Sequence, residues 1–250
     1  MKKLLVGAAT AAALIAPSVA SADTQGAIDF TFENTEYDSG SDFDAYSLGG
    51  AIATDISHGL RLQADGRTTL QEWSSDSYSH GYTAAHVSGD LGGFNVGGFV
   101  GLLNYYGDGG TLLGVEARND WGNFSVDGSI AFSDFRDNDF DGTHYNIGGS
   151  YFFMPNFAVN AGYSFNEIDT GADYELDAWS LGAAYQFANN VEVFGAWTNT
   201  NYEVNGSDYN ETDSLQLGVR LNIGGGTLQD NTNGGLWNSA RDVADTYLRW

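Results

Sequence analysis

From residue 26 to residue 223 the chain is written in short stretches whose apolar residues fall at every second position. In 124–132, for example, Phe124, Val126, Ile130 and Phe132 share one face, and Ser125, Asp127 and Ser129 share the other. A period of two is a strand with two unlike faces. Twelve such stretches follow one another, near 26–36, 44–57, 60–73, 77–88, 94–106, 110–119, 123–134, 144–154, 157–168, 177–188, 191–202 and 212–223. Almost no helical pattern and no separate apolar core are left for them to pack against. A sheet closed on itself, with lipid on the outside, satisfies every backbone group and uses both faces. The expected fold is therefore all-β, a transmembrane antiparallel up-and-down β-barrel of about twelve strands with a short C-terminal periplasmic helical tail.

Three segments divide the chain. Residues 1–22 read as an export signal: Lys2 and Lys3, an apolar run from Leu4 to Ala16, and the small-residue cleavage pattern Ala20-Ser21-Ala22. Residues 23–223 are the barrel, and 224–250 a linker and an amphipathic tail. No later segment approaches the ~20 apolar residues of a spanning helix, so any insertion must use strands.

Tight connections are expected at Ser57–Gly59, Gly89–Gly92, Pro155–Asn156 and Asn189–Asn190. Longer acidic ones are expected at Tyr37–Phe43, Asp134–Thr143, Asp169–Leu176 and Glu203–Glu211, with a short exception at Gly107–Gly110. This alternation of inner turns and outer loops suits a barrel with both ends in the periplasm. Aromatics gather at two levels, Phe94, Trp121, Phe124, Phe157 and Phe187 beside the turns, and Trp73, Tyr105, Trp179, Trp197 and Tyr202 beside the loops. They read as interfacial girdles.

Both lysines lie in the signal, which leaves seven arginines against 33 acids and a formal charge of −26 on the remainder. Such a chain repels nucleic acid and anionic lipid and attracts cations. Without cysteine there is no disulfide framework and no thiolate site.

On these features the chain resembles the outer-membrane β-barrel proteins of Gram-negative bacteria, the acidic, Gly-rich porins in particular. Gln216-Leu-Gly218-Val-Arg-Leu221-Asn-Ile223 looks like the assembly signal of a last barrel strand, and the resemblance implies the barrel assembly machinery and outer-membrane lipid as partners. Members usually end on that strand, whereas 27 residues follow here. The resemblance also leaves room for a homo-oligomer.

The face opposite the lipid-facing set is largely Gly, Ala, Ser and Asn, with charges at Asp29, Glu33, Arg61, Asp65, Arg67, Glu116, Arg118, Asp127, Glu192 and Arg220. These ten are the candidate pore-lining residues. Phe99, Phe152 and Phe194 read inward as constrictions. In the fourth strand either Tyr82, Ala84 and His86 or Thr83, Ala85 and Val87 face inward, with a bulge between the options. Arg118 with Asp127, and Arg220 with Asp29, are placed to form ion pairs across neighbouring strands. Twelve strands lined by small residues leave space, so the expected function is a porin-like channel for passive diffusion of ions or small hydrophilic solutes. Excess acid in it favours cations. The rival reading is a non-conducting surface protein, an adhesin or structural anchor.

Asp137, Asp139 and Asp141, followed by Gly142, match the first half of a calcium loop. The twelfth position is Gly148 rather than Glu, so the pattern predicts at most Ca2+ on an outer loop, with no other cofactor. Ser133, Asp141 and His144 lie near one another in sequence without forming a catalytic motif, and no enzymatic activity is expected. In the tail, Leu236, Ala240, Val243, Ala244 and Tyr247 fall at helical spacing. Such a helix could plug the barrel mouth, lie on the inner leaflet or meet a partner. The alternative is a thirteenth strand.

Overall fold

The computed structural model describes residues 24–56, 59–135, 140–188, 190–233 and 235–249. The signal segment lies outside them. Twelve antiparallel strands form a closed barrel in which each pairs with its sequence neighbours and β1 pairs with β12. They are β1 (Thr24–Tyr37), β2 (Asp42–Asp55), β3 (Leu60–Glu72), β4 (Ser77–Leu91), β5 (Phe94–Tyr105), β6 (Asp108–Trp121), β7 (Phe124–Phe135), β8 (Phe140–Met154), β9 (Phe157–Asp169), β10 (Asp173–Gln186), β11 (Val191–Val204) and β12 (Ser207–Ile223). Two helices follow, α1 (Leu228–Asn233) and α2 (Ser239–Arg249). The tail is helical, not a thirteenth strand.

The start of β1 and the end of β12 lie at the same end of the barrel, hereafter the inner end. The outer end differs from expectation. Among the described residues its connections are short: β11 and β12 are joined across Asn205 and Gly206, both at positive φ, and β9 and β10 across residues 170–172; residues 136–139 of the expected Asp134–Thr143 loop lie outside them. The acidic stretches expected in long loops continue the strands instead, with Glu175 opposite Glu203 and Asp169 opposite Asp173. Strands of 12 to 17 residues exceed the ~9–11 that cross a bilayer. The surplus carries the wall past the lipid, where paired acids remain hydrated.

Side chains alternate as the sequence pattern requires. Leu102, Leu113, Val115, Phe132, Ile147, Leu181 and Leu217 are exposed on the outer face, where only lipid can cover them. Trp121, Phe124, Phe94 and Phe187 at one level, and Trp179 and Trp197 at the other, are exposed too and stand as girdles. Tyr105 and Tyr202 depart from the expected outer girdle, as does Trp73, which packs against the inward Phe43. Each tyrosine falls on the inward parity of its strand and packs in the interior. In β4 the inward set is Tyr82, Ala84 and His86, and its pairing with β3 runs without a register shift. Irregularities occur at Phe152/Met154 and Tyr202/Glu203.

The interior core is the unexpected feature. Ala240, Val243 and Tyr247 of α2 are buried against Tyr82, Phe99, Leu103, Leu112, Phe135 and Phe140 of the wall. Only α1 sits at the inner mouth, where the Gln229 backbone N–H donates to Pro155 O and its side chain to Gly122 O. The tail then turns inward and α2 rises through the lumen along the β3–β8 wall. An amphipathic pattern requires that something cover the apolar stripe. Here the cover is the barrel's own interior.

Candidate functional site: the lumen

The lumen has two unlike halves. On the β4–β7 side, inward residues are large and receive α2. On the remaining side Gly148, Ser150, Asn160, Gly162, Ser180 and Ala184 leave a cavity of about 410 Å³. Asn238 and the polar face of α2, with Arg241, Asp242 and Asp245, form its other wall. Five carboxylates (Asp29, Asp127, Glu192, Asp242, Asp245) and three guanidiniums (Arg118, Arg220, Arg241) line it.

The ten sequence candidates fall into groups. Asp29 faces Arg67 at 3.8 Å and Arg241 at 3.7 Å, and Arg241 also reaches Asp245 at 3.6 Å. Arg67 additionally donates to the Thr31 hydroxyl. Glu192 meets Arg220 at 3.4 Å and accepts from Asn222 at 3.0 Å. Asp65 and Glu116 are joined by His86, whose two ring nitrogens stand 2.8 and 3.0 Å from their oxygens. Glu33 accepts from Gln216 at 3.0 Å. Arg61 pairs with Asp55 at 3.2 Å at the inner rim, away from the others. Asp127 stands on the cavity wall opposite Arg118 in the ladder.

The cross-strand pairs expected from register are redirected by the tail. Arg118 donates to the carbonyls of Thr232, Gly235 and Leu236 at 2.9, 3.4 and 3.2 Å and lies 4.5 Å above the Trp237 ring. Carbonyls released where α1 ends need donors, and a guanidinium offers five. At the seam Arg220 turns to Glu192, and Asp29 to Arg67 and Arg241. Gln63 completes the lower anchor, donating to Trp237 O and accepting from its N–H, both at 2.8 Å. Neither Gln63 nor the α2 charges were legible as site residues, because their partners are remote in sequence.

The upper anchor is a buried trio on three successive strands. Ser133 Oγ is 2.9 Å from His144 Nε2, and His144 Nδ1 is 2.9 Å from Asn166 Oδ1. Nucleophile, base and orienter stand in this order in hydrolytic enzymes. Here the hydroxyl is 2.5 Å from the Tyr247 hydroxyl and Thr246 donates to Asn166 Oδ1 at 3.3 Å. With all three residues buried, the trio is a socket for the top of α2. Gly142 makes room for it, since a Cβ there would lie 2.6 Å from both the Ser133 and Tyr247 oxygens.

At and above this level every strand contributes a buried inward side chain: Thr35, Phe43, Gln71, His80, Leu103, Leu112, Phe135, Phe140, Ile168, Leu176, Tyr202 and Thr212 in order from β1 to β12. The outer third of the lumen is therefore packed, whereas the cavity reaches the inner end at Gln25, Asn222 and Leu228. The small-residue lining continues outside the cavity at Ala45, Ser47 and Ala53 of β2 and Ala131 of β7, which are buried.

Asp137 and Asp139 of the calcium pattern lie outside the described residues. Asp141 is an exposed residue of β8, opposite Asp134 and Asp169. Among the described residues no group of three or more His, Asp or Glu is placed to hold a metal ion.

A family model described as Gram-negative porin matches residues 73–235, more than half of the chain. Among solved structures, an outer-membrane channel from Pseudomonas putida F1 is 16% identical with a TM-score of 0.54, covering 79% of this chain and 95% of that one. An anion-selective porin from Comamonas acidovorans is 11% identical with a TM-score of 0.48, covering 80% and 98%. The likeness to the Pseudomonas putida channel shows the fold alone. No curated protein sequence matches. The chain belongs to the Gram-negative porin family and is a barrel of the Gram-negative outer membrane.

Proposed function

We propose that the protein is a channel for passive diffusion of ions or small hydrophilic solutes, with a preference for cations. The observation that carries this reading is the cavity of about 410 Å³ between the small-residue wall and the polar face of α2. Five carboxylates against three guanidiniums line it, in a low-dielectric shell that extends the reach of each charge. The residual negative charge raises the local cation concentration and repels anions. Acids on the strand extensions at the outer end, such as Glu175, Glu203, Asp169 and Asp173, add to the same field.

The test is ion flux from vesicles containing the full chain, comparing potassium with chloride under a salt gradient. The reading expects potassium to move faster, with the ratio falling towards unity at high salt as screening shortens the reach of the carboxylates. Equal or chloride-favouring flux at low salt refutes the cation preference. A second reading, a non-conducting surface or anchoring protein, is favoured by the packed outer third of the lumen. Absence of any flux from vesicles holding folded barrel would select it.

A further inference from the structure

We infer that α2 is an autoinhibitory plug, and that the passage opens when α2 withdraws from the lumen toward the inner end. The inference rests on the channel reading and adds what controls it.

Three observations converge. First, the cavity stops below a packed layer, and Val243 and Tyr247 of α2 belong to the apolar cluster that forms much of that layer. Second, the wall members of the cluster are held in a closed ladder in which each strand is paired on both sides. They cannot leave without breaking the barrel. α2 has no ladder; side-chain and apolar contacts seat it, at Ser133, Asn166 and Asp29, while Gln63 and Arg118 hold the segment that leads into it. Third, the connection from β12 to the tail is Gly224-Gly225-Gly226, three successive residues at φ of 109, 82 and 96°; α1 lies between it and α2, so α1 leaves Pro155 and Gly122 when α2 withdraws. Such a segment turns at little steric cost and suits a hinge at the mouth.

The chemistry of α2 permits both positions. Docked, its apolar stripe is covered and its Arg241 and Asp245 are paired. Withdrawn, those charges regain water while the stripe is exposed, so burial of the stripe favours docking and burial of the charges opposes it. The space vacated is that of a helix, about 10–12 Å across with its side chains. Removing it uncovers the side chains of Leu103, Leu112, Phe135 and Phe140, which then turn into the vacated space and let the cavity reach the outer end.

The test is single-channel recording of the full chain beside two full-chain variants. Val243→Asp places a carboxylate on the fully buried stripe, and Tyr247→Phe removes only the hydroxyl bonded in the socket. Proper assembly is checked by the strand content of each folded sample. The expected result is brief, rare openings of the wild type, a many-fold rise in open time for Val243→Asp, a smaller rise for Tyr247→Phe, and one step size in all three. Continuous conduction by the wild type that neither variant alters overturns the plug and leaves the channel standing. Silence of all three folded proteins overturns the channel reading, and the plug with it. Rare wild-type openings unchanged in both variants also overturn the plug, because the seal would then lie in the wall alone.

Discussion

Replacing Tyr247 by alanine isolates the strength of the upper anchor. The ring is buried, with centroids 5.1 Å from Phe135, 5.7 Å from Tyr105 and 5.5 Å from the His144 imidazole. Its hydroxyl is 2.5 Å from Ser133 Oγ. Truncating a buried aromatic to alanine costs about 3–5 kcal/mol. The barrel itself, closed by its ladder, does not depend on this ring, so the loss falls on the docked state of α2. Each ~1.4 kcal/mol is tenfold in an equilibrium constant, so the undocked fraction should rise by about two to three and a half orders of magnitude. Hydrogen exchange reads this directly, since amides protected by docking exchange through the undocked state. Exchange at the α2 amides should accelerate by that factor, with the barrel amides unchanged. If α2 exchanges as slowly as in the wild type, the socket does not hold the helix. If barrel and helix accelerate together, docking and barrel stability are one cooperative unit and the reasoning fails.

Two further outcomes follow from the same geometry. Gly142→Ala should also release the top of α2, because its Cβ would lie 2.6 Å from the Ser133 and Tyr247 oxygens and 2.7 Å from His144 Nε2. Gly148→Ala, whose Cβ meets nothing nearer than 3.6 Å, should leave exchange at α2 unaltered. The start of α1 should be pH-dependent. The Thr227 backbone N–H, and then its hydroxyl, donate to Asp230 and hold its carboxyl below the usual range. A carboxyl lowered on folding stabilises above its unfolded pKa, and that contribution is lost as pH falls through the lowered folded value. Amides of the first turn of α1 should thus be protected at neutral pH and fray in acid below the ordinary Asp range. An α1 equally protected at both ends of the titration contradicts this.

Much of the barrel was legible because a period of two leaves little choice. Once Phe132 or Leu217 must face lipid, Ser133 or Gln216 must face inward, and the closing pair of β1 with β12 follows from an even strand count. The inward direction of Asp29, Glu116, Arg118 and Glu192 was legible for the same reason. What these residues touch was not. Arg118 stands opposite Asp127 in the ladder, yet its guanidinium serves carbonyls more than a hundred residues away. The place of the tail was hidden for a related reason. The spacing of Ala240, Val243 and Tyr247 says that a stripe must be covered, not by what. One signal did exist. At the outer ends of β5, β6, β7 and β10, Leu103, Leu112, Phe135 and Leu176 make the supposedly wet face apolar as well. Two apolar faces on one strand call for an apolar occupant on each side. The outer loops were misjudged because acidic, Gly-rich sequence reads as loop, whereas beyond the membrane it continues the ladder.

Single-channel recording of the full chain in a planar bilayer tests the central claim most directly. The account predicts discrete steps of a single size, short-lived because α2 closes the lumen, with a reversal potential that favours cations at low salt. A folded, inserted barrel that never conducts at any voltage, and stays silent when Val243 is replaced by aspartate, would contradict it.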